Sequence, residues 1–176
     1  MFDVSIFLRL LLPRISFSVL LAVLAIAIVA TCAVLTFSNT RKFRYIILVW
    51  LIACLYLMFH IAIFGRESRE FYSFHLIPFW SIESIQNGFV ETLYEKLNNI
   101  LFFIPFGCLL GTYFKEKVIS RSLIIGAVTS ITIELLQLIT KTGTCETDDV
   151  ICNTVGCAIG SLVVAGMVRI ISRKHT

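Results

Sequence analysis

Glu134 lies in an otherwise apolar stretch, residues 119–140, of a 176-residue chain. Ser130, Glu134, Gln137 and Lys141 recur at i, i+4, i+7 and i+11, so a helix carries all four on one face. The next apolar stretch, 150–171, opens a similar row: Asp149, Asn153, Gly156 and Gly160. Asn98 and Asn99 open the stretch before, 97–114. A carboxyl group six residues inside an apolar helix, or about 9 Å deep, is costly unless protonated or paired. Such residues suit acid–base or ion-coupled work, or hydrogen bonding to a ligand. Arg66 and Arg69 add a contact for an anion or a lipid headgroup.

The elements that must position these groups follow from composition. Hydrophobic residues are 58% of the chain and charged residues 15%, against about 45–50% and about 25% in soluble domains. Mean hydropathy is +0.92. There is too little polar surface for a water-soluble enzyme, and the class is neither disordered nor nucleic-acid-binding. About 20 helical residues cross a bilayer. Five stretches are expected to do so: 15–37, 45–64, 97–114, 119–140 and 150–171. Backbone groups cannot go unpaired in lipid, so each must be helical. The expected fold is an all-α, polytopic membrane protein with an interfacial loop or helix between the second and third spans. Residues 1–64 form an N-terminal anchor of two spans, with a short interfacial helix at the start. Residues 65–171 form a second unit, and 172–176 a basic tail.

Nine of the 15 Lys and Arg fall in three clusters: Arg41, Lys42 and Arg44; Lys115, Lys117 and Arg121; Arg169, Arg173 and Lys174. The positive-inside rule puts these in the cytoplasm, with the N-terminus outside and the C-terminus inside. Arg9 and Arg14 run against that orientation. The net charge of +4 is then a mark of topology. The loop 65–96 faces out; its Phe71, Tyr72, Phe74, Phe79 and Trp80 suit the headgroup layer. Phe89, Leu93 and Leu97 then recur at helical spacing, which predicts a surface helix. Pro105 predicts a kink in the third span. Gly107 with Gly111, and Gly156 with Gly160, form two G-x-x-x-G patterns that permit close helix packing.

Asn99, Glu134, Gln137, Asp149 and Asn153 thus share one layer of three consecutive spans, which implies a polar pocket opening outward. Against this, Asn99, Gln137 and Asn153 each suit plain interhelical hydrogen bonding. Asp148 suits a helix end, and His60 suits packing. Cys145 and Cys152 are left open as a bridge or two thiols, without zinc spacing. No P-loop, G-x-S-x-G or H-E-x-x-H occurs, so no catalytic residue, cofactor or metal is assigned.

Four motifs stand in order: Arg69 with Leu76-Ile77-Pro78-Phe79; Asn99-Ile100-Leu101-Phe102-Phe103-Ile104-Pro105-Phe106-Gly107; Ile133-Glu134-Leu135-Leu136-Gln137; and Asp148-Asp149-Val150-Ile151-Cys152-Asn153-Thr154-Val155-Gly156. Together they resemble the VanZ-like family of bacterial membrane proteins, from about Arg66 to Gly160. The resemblance implies an integral membrane protein associated with glycopeptide resistance, especially to teicoplanin, and no defined reaction. This chain departs from the pattern at Gly143-Thr144-Cys145, where a basic residue is common, and at Glu146, where an aspartate is common.

Three functions are carried forward. The first is a non-enzymatic factor that alters how an acylated glycopeptide meets the cell surface. The second is an enzyme or transporter for a lipid-linked cell-wall precursor, with Glu134 or Asp149 as its acid–base or ion-coupled group. The third is a cation channel. Membrane lipids are the expected surroundings in every case.

Overall fold

The computed structural model describes residues 41–114 and 116–174. Helix α1 (Arg41–Phe59) runs on into a π-helical turn, His60–Phe64. Strand β1 (Ser73–His75), helix α2 (Trp80–Gln86), helix α3 (Val90–Tyr113) and helix α4 (Val118–Thr140) follow. Strand β2 (Thr144–Glu146) and helix α5 (Thr147–Lys174) complete the order. The class is all-α apart from the two three-residue strands.

Helix α1 shows how these helices meet their surroundings. Phe43, Ile47, Leu51, Cys54, Met58 and Ala62 recur every three or four residues and are buried. The opposite side is just as apolar, yet Val49 is 64% exposed; on α4, Ile139 is 68% exposed. Helices apolar all round are solvated by lipid, not water. Three described helices are long and apolar enough to cross a membrane: Phe43–Phe64, Val118–Thr140 and Thr147–Ile170. Of the five expected spans, 15–37 lies outside the described residues. The stretch 97–114 falls within α3 except for its last residue, and α3, whose first half carries Lys96, Asn98 and Asn99, is not among the three.

Helix α3 is the centre of the bundle. Phe103, Phe106, Leu109 and Leu110 are buried against α1, and Ile133 and Cys157 join the same core. Its other side meets α5 at backbone distance. A Cβ on Gly156 would lie 2.1 Å from the Ile100 carbonyl oxygen, and one on Gly160 would lie 2.1 Å from that of Ile104. Gly107 faces the Cys157 carbonyl at the same 2.1 Å. Both G-x-x-x-G patterns therefore sit in a single helix contact, where no larger residue fits. Cys157 also touches α4, its Sγ donating to the Ser122 carbonyl at 3.2 Å.

Two local features differ from the sequence reading, the surface helix and a pair of strands. The surface helix expected around Phe89 and Leu93 is the first part of α3, which begins after Gly88 (φ 92°) and continues unbroken. Polar Thr92 and Lys96 are buried there because they face protein. The separate short helix is α2, in the aromatic segment. Pro105 is buried inside α3 without interrupting it. The strands are the second difference: β1 pairs in parallel with β2, Ser73 opposite Thr144, Phe74 opposite Cys145 and His75 opposite Glu146. That pairing ties the loop after α1 to the turn after α4.

Candidate functional site

The lacing of these two loops builds the site. The backbone N–H of Arg69 donates to the Lys141 carbonyl at 2.8 Å, and Arg69 Nη1 donates to Thr144 Oγ1 at 3.0 Å. Thr147 Oγ1 donates to the Leu76 carbonyl at 3.1 Å. Asp148, in the first turn of α5, accepts from the backbone N–H groups of Phe79 (2.5 Å) and Ser81 (2.9 Å), and from the Ser81 hydroxyl. It therefore caps α2 as well as suiting the N-terminus of its own helix.

Beneath this lattice is a cavity of about 490 Å³. Asn99 from α3, Glu134 and Gln137 from α4, and Asp149 and Asn153 from α5 all line it, together with Arg66 and Arg69. Pro105, Gly107, Gly156 and Gly160 do not; the three glycines lie in the α3–α5 contact. Glu134 is 3% exposed, and its Oε2 accepts the Glu146 backbone N–H at 2.9 Å. Gln137 Nε2 donates to the Ala62 carbonyl at 3.1 Å, in the π-helical turn. Such a turn rearranges the local backbone hydrogen bonds, and here the side chain of a neighbouring helix takes up one carbonyl. Asn153 Nδ2 donates to Ser130 Oγ at 2.8 Å, joining α5 to α4.

The sequence reading missed Lys96. In sequence Lys96 closes the outward loop 65–96, but it is 5% exposed and forms ion pairs with Glu146 (2.5 Å) and Asp149. Its ammonium also lies 5.3 Å from the Trp80 ring centroid. Burial works to lower the Lys96 pKa, but Asp149 and Glu146 outweigh it and hold the ammonium protonated above its usual range. Glu146 moves the other way from a typical ion-paired acid. Burial, helped by the charge of Asp149, raises it against the pull of the Lys96 hydrogen bond. A lone lysine at the start of an apolar run, with two acids at the head of another, was the available signal.

The remaining sequence readings resolve as follows. Cys145 and Cys152 are both free, and burial raises the Cys145 thiol. His60 is exposed, flanked by the Tyr56 and Phe64 rings at 5.9 and 6.1 Å. Phe71, Tyr72, Phe74 and Phe79 are all exposed, in the same loop segment that carries Arg66 and Arg69.

The VanZ/LLP1 family model matches residues 43–169, from α1 through nearly all of α5. The chain belongs to the VanZ/LLP1 family. Protein VanZ of Enterococcus faecium is similar to it, 32% identical over 113 residues. That match takes in 64% of this chain and 63% of the relative, so it spans less than two thirds of the relative's length. No solved structure matches. Family membership and the outward-facing apolar side chains make this a bacterial membrane protein. In this VanZ-like chain the cavity walls can bind a charged or hydrogen-bonding group, or exchange a proton through Glu134, Glu146 or Asp149.

Proposed function

We propose that this VanZ-like protein contributes to glycopeptide resistance at the cell envelope, toward teicoplanin and other acylated glycopeptides, through a polar cavity that opens outward. The observation that carries the reading is convergence. Residues as far apart in sequence as Arg66 and Asn153 line one cavity, and the loop that carries Arg66 and Arg69 also exposes Phe71, Tyr72, Phe74 and Phe79. A drug with an acyl tail would meet an aromatic rim at the lipid surface and a polar chamber behind it. In this reading the chain crosses the bilayer about five times, with 15–37 and α3 as the further spans. Its N-terminus is outside and its C-terminus cytoplasmic.

Expression in a sensitive host tests this. Tolerance to teicoplanin should rise more than tolerance to vancomycin, and an equal or absent change for both drugs overturns it. A second reading is favoured by the three carboxylates that line the cavity, Glu134, Glu146 and Asp149: turnover or transport of a lipid-linked cell-wall precursor, with Glu134 or Asp149 as the working acid. Glu134→Gln keeps the shape and removes the charge. Loss of the phenotype at unchanged protein level supports that reading, and full retention overturns it.

A further inference from the structure

The cavity is ordered from mouth to floor. At the mouth, Arg66 and Arg69 are exposed. Further in, Glu134, Glu146 and Asp149 bring three carboxylates to the wall, and two of them, Glu146 and Asp149, already engage the ammonium of Lys96. Two amide oxygens, Oδ1 of Asn98 and Oδ1 of Asn153, are buried with no hydrogen-bond partner among the described residues. Both residues line the cavity, and Asn153 is only 4% exposed. The Nδ2 of Asn153 is already used on Ser130, so the acceptor is the half left open.

Buried acceptors call for a donor. Five carboxylates line the cavity, those of Glu67, Glu95, Glu134, Glu146 and Asp149, against Arg66, Arg69 and the neighbouring Lys96; that excess favours positive charge, and guanidinium geometry at the rim suits an oxyanion. One ligand class meets all three demands. We propose that the cavity binds a primary-ammonium zwitterion of the phosphoethanolamine type. Its ammonium sits among Asn98, Asn153 and Glu134, and its oxyanion sits at Arg66 and Arg69. The volume of about 490 Å³ is within the usual range for a small-molecule site. The headgroup of a membrane lipid and a free water-soluble zwitterion share this chemistry. The proposal rests on the cavity being the working site, and it adds what that site holds.

The full chain in nonionic detergent is titrated with phosphatidylethanolamine, phosphatidylcholine and phosphatidylglycerol of the same acyl chains, with occupancy read by native mass spectrometry. Soluble glycerophosphoethanolamine and glycerophosphocholine are compared by calorimetry. The ethanolamine form should bind about tenfold or more tightly than choline, which has no N–H, or glycerol, which has no cation. Asn153→Leu and Arg69→Gln should each weaken it about tenfold, while Asn153→Asp retains it. Arg69 is on the exposed rim, so its variant still reports if the buried one fails to fold. Selective binding of the lipid alone assigns the headgroup as the source; selective binding of the soluble form as well extends the site to free zwitterions. Both support the proposal. Equal affinity for every headgroup, no binding of either ethanolamine form, or indifference to both weakening variants overturns it. Drug tolerance does not enter this readout. Selective binding without a tolerance phenotype would fault the resistance reading alone. A tolerance phenotype without headgroup selectivity would fault the zwitterion alone.

Discussion

Lys96, Glu146 and Asp149 together set the charge of the chamber wall, and the burial of Glu146 makes a pH dependence testable. Its carboxyl ordinarily ionises near 4.5, and burial raises it in the fold. Between 4.5 and the raised value the folded state binds more protons than the unfolded chain, so this group's contribution to stability falls as pH rises. Glu146→Gln is neutral throughout. The melting temperature of the variant, relative to wild type, should therefore climb from about pH 4 to about pH 7 in detergent. A relative melting temperature that falls over that range would show that the Lys96 ion pair outweighs burial. The distinction bears on function, because a neutral Glu146 leaves Asp149 as the main partner of Lys96.

At the scale of elements, α3 and α5 are held by the absence of side chains. Gly107, Gly156 and Gly160 let the two backbones meet where a Cβ would overlap a carbonyl at 2.1 Å. Gly156→Leu forces the helices apart just below the cavity. It should cost about 1–3 kcal/mol or more, read as a lower melting temperature and less folded protein. Gly166 is the control on the same helix, since a Cβ there meets nothing within 4 Å. Gly166→Ala should be neutral or stabilise by about 0.5–1 kcal/mol, because alanine favours the helical backbone. Equal damage from both changes would mean that helix α5 is sensitive to any added bulk, and the close contact would not be the cause.

For the whole molecule, orientation is the property with most consequence, since the cavity is useful to an envelope ligand only if it faces out. The β1–β2 pairing keeps the loop carrying Arg66 and Arg69 at the same end as the start of α5, while the α3–α4 turn lies at the other end of those helices. Glu67 and Glu116 are exposed residues, one in that loop and one in that turn. In a cysteine-free background, a membrane-impermeant maleimide should label Glu67→Cys on intact cells and Glu116→Cys only after permeabilisation. The reverse pattern would turn the cavity toward the cytoplasm and sink the proposed meeting with a drug outside.

Hydropathy and helical period are local properties, so the chain alone carried the class, the helical stretches within the described residues, and the shared face of Ser130, Glu134 and Gln137. It also carried the membership that the ordered Asn99, Pro105, Glu134 and Asp148-Asp149 motifs suggested. What local pattern could not carry was partner choice. A lysine beside an apolar run looks the same whether it faces water or two carboxylates, and Lys96 was placed only by the packing of α3 against α5 and the turn before it. Asp148 was likewise legible as a helix-end residue, but not as the cap of a different helix, α2. The strands β1 and β2 are three residues each, and the first pair of the ladder, Ser73 and Thr144, is 71 residues apart in sequence and joined only through space. Charge pairing and parallel strand pairing depend on distances that folding sets, and those distances made separate polar stripes into one chamber.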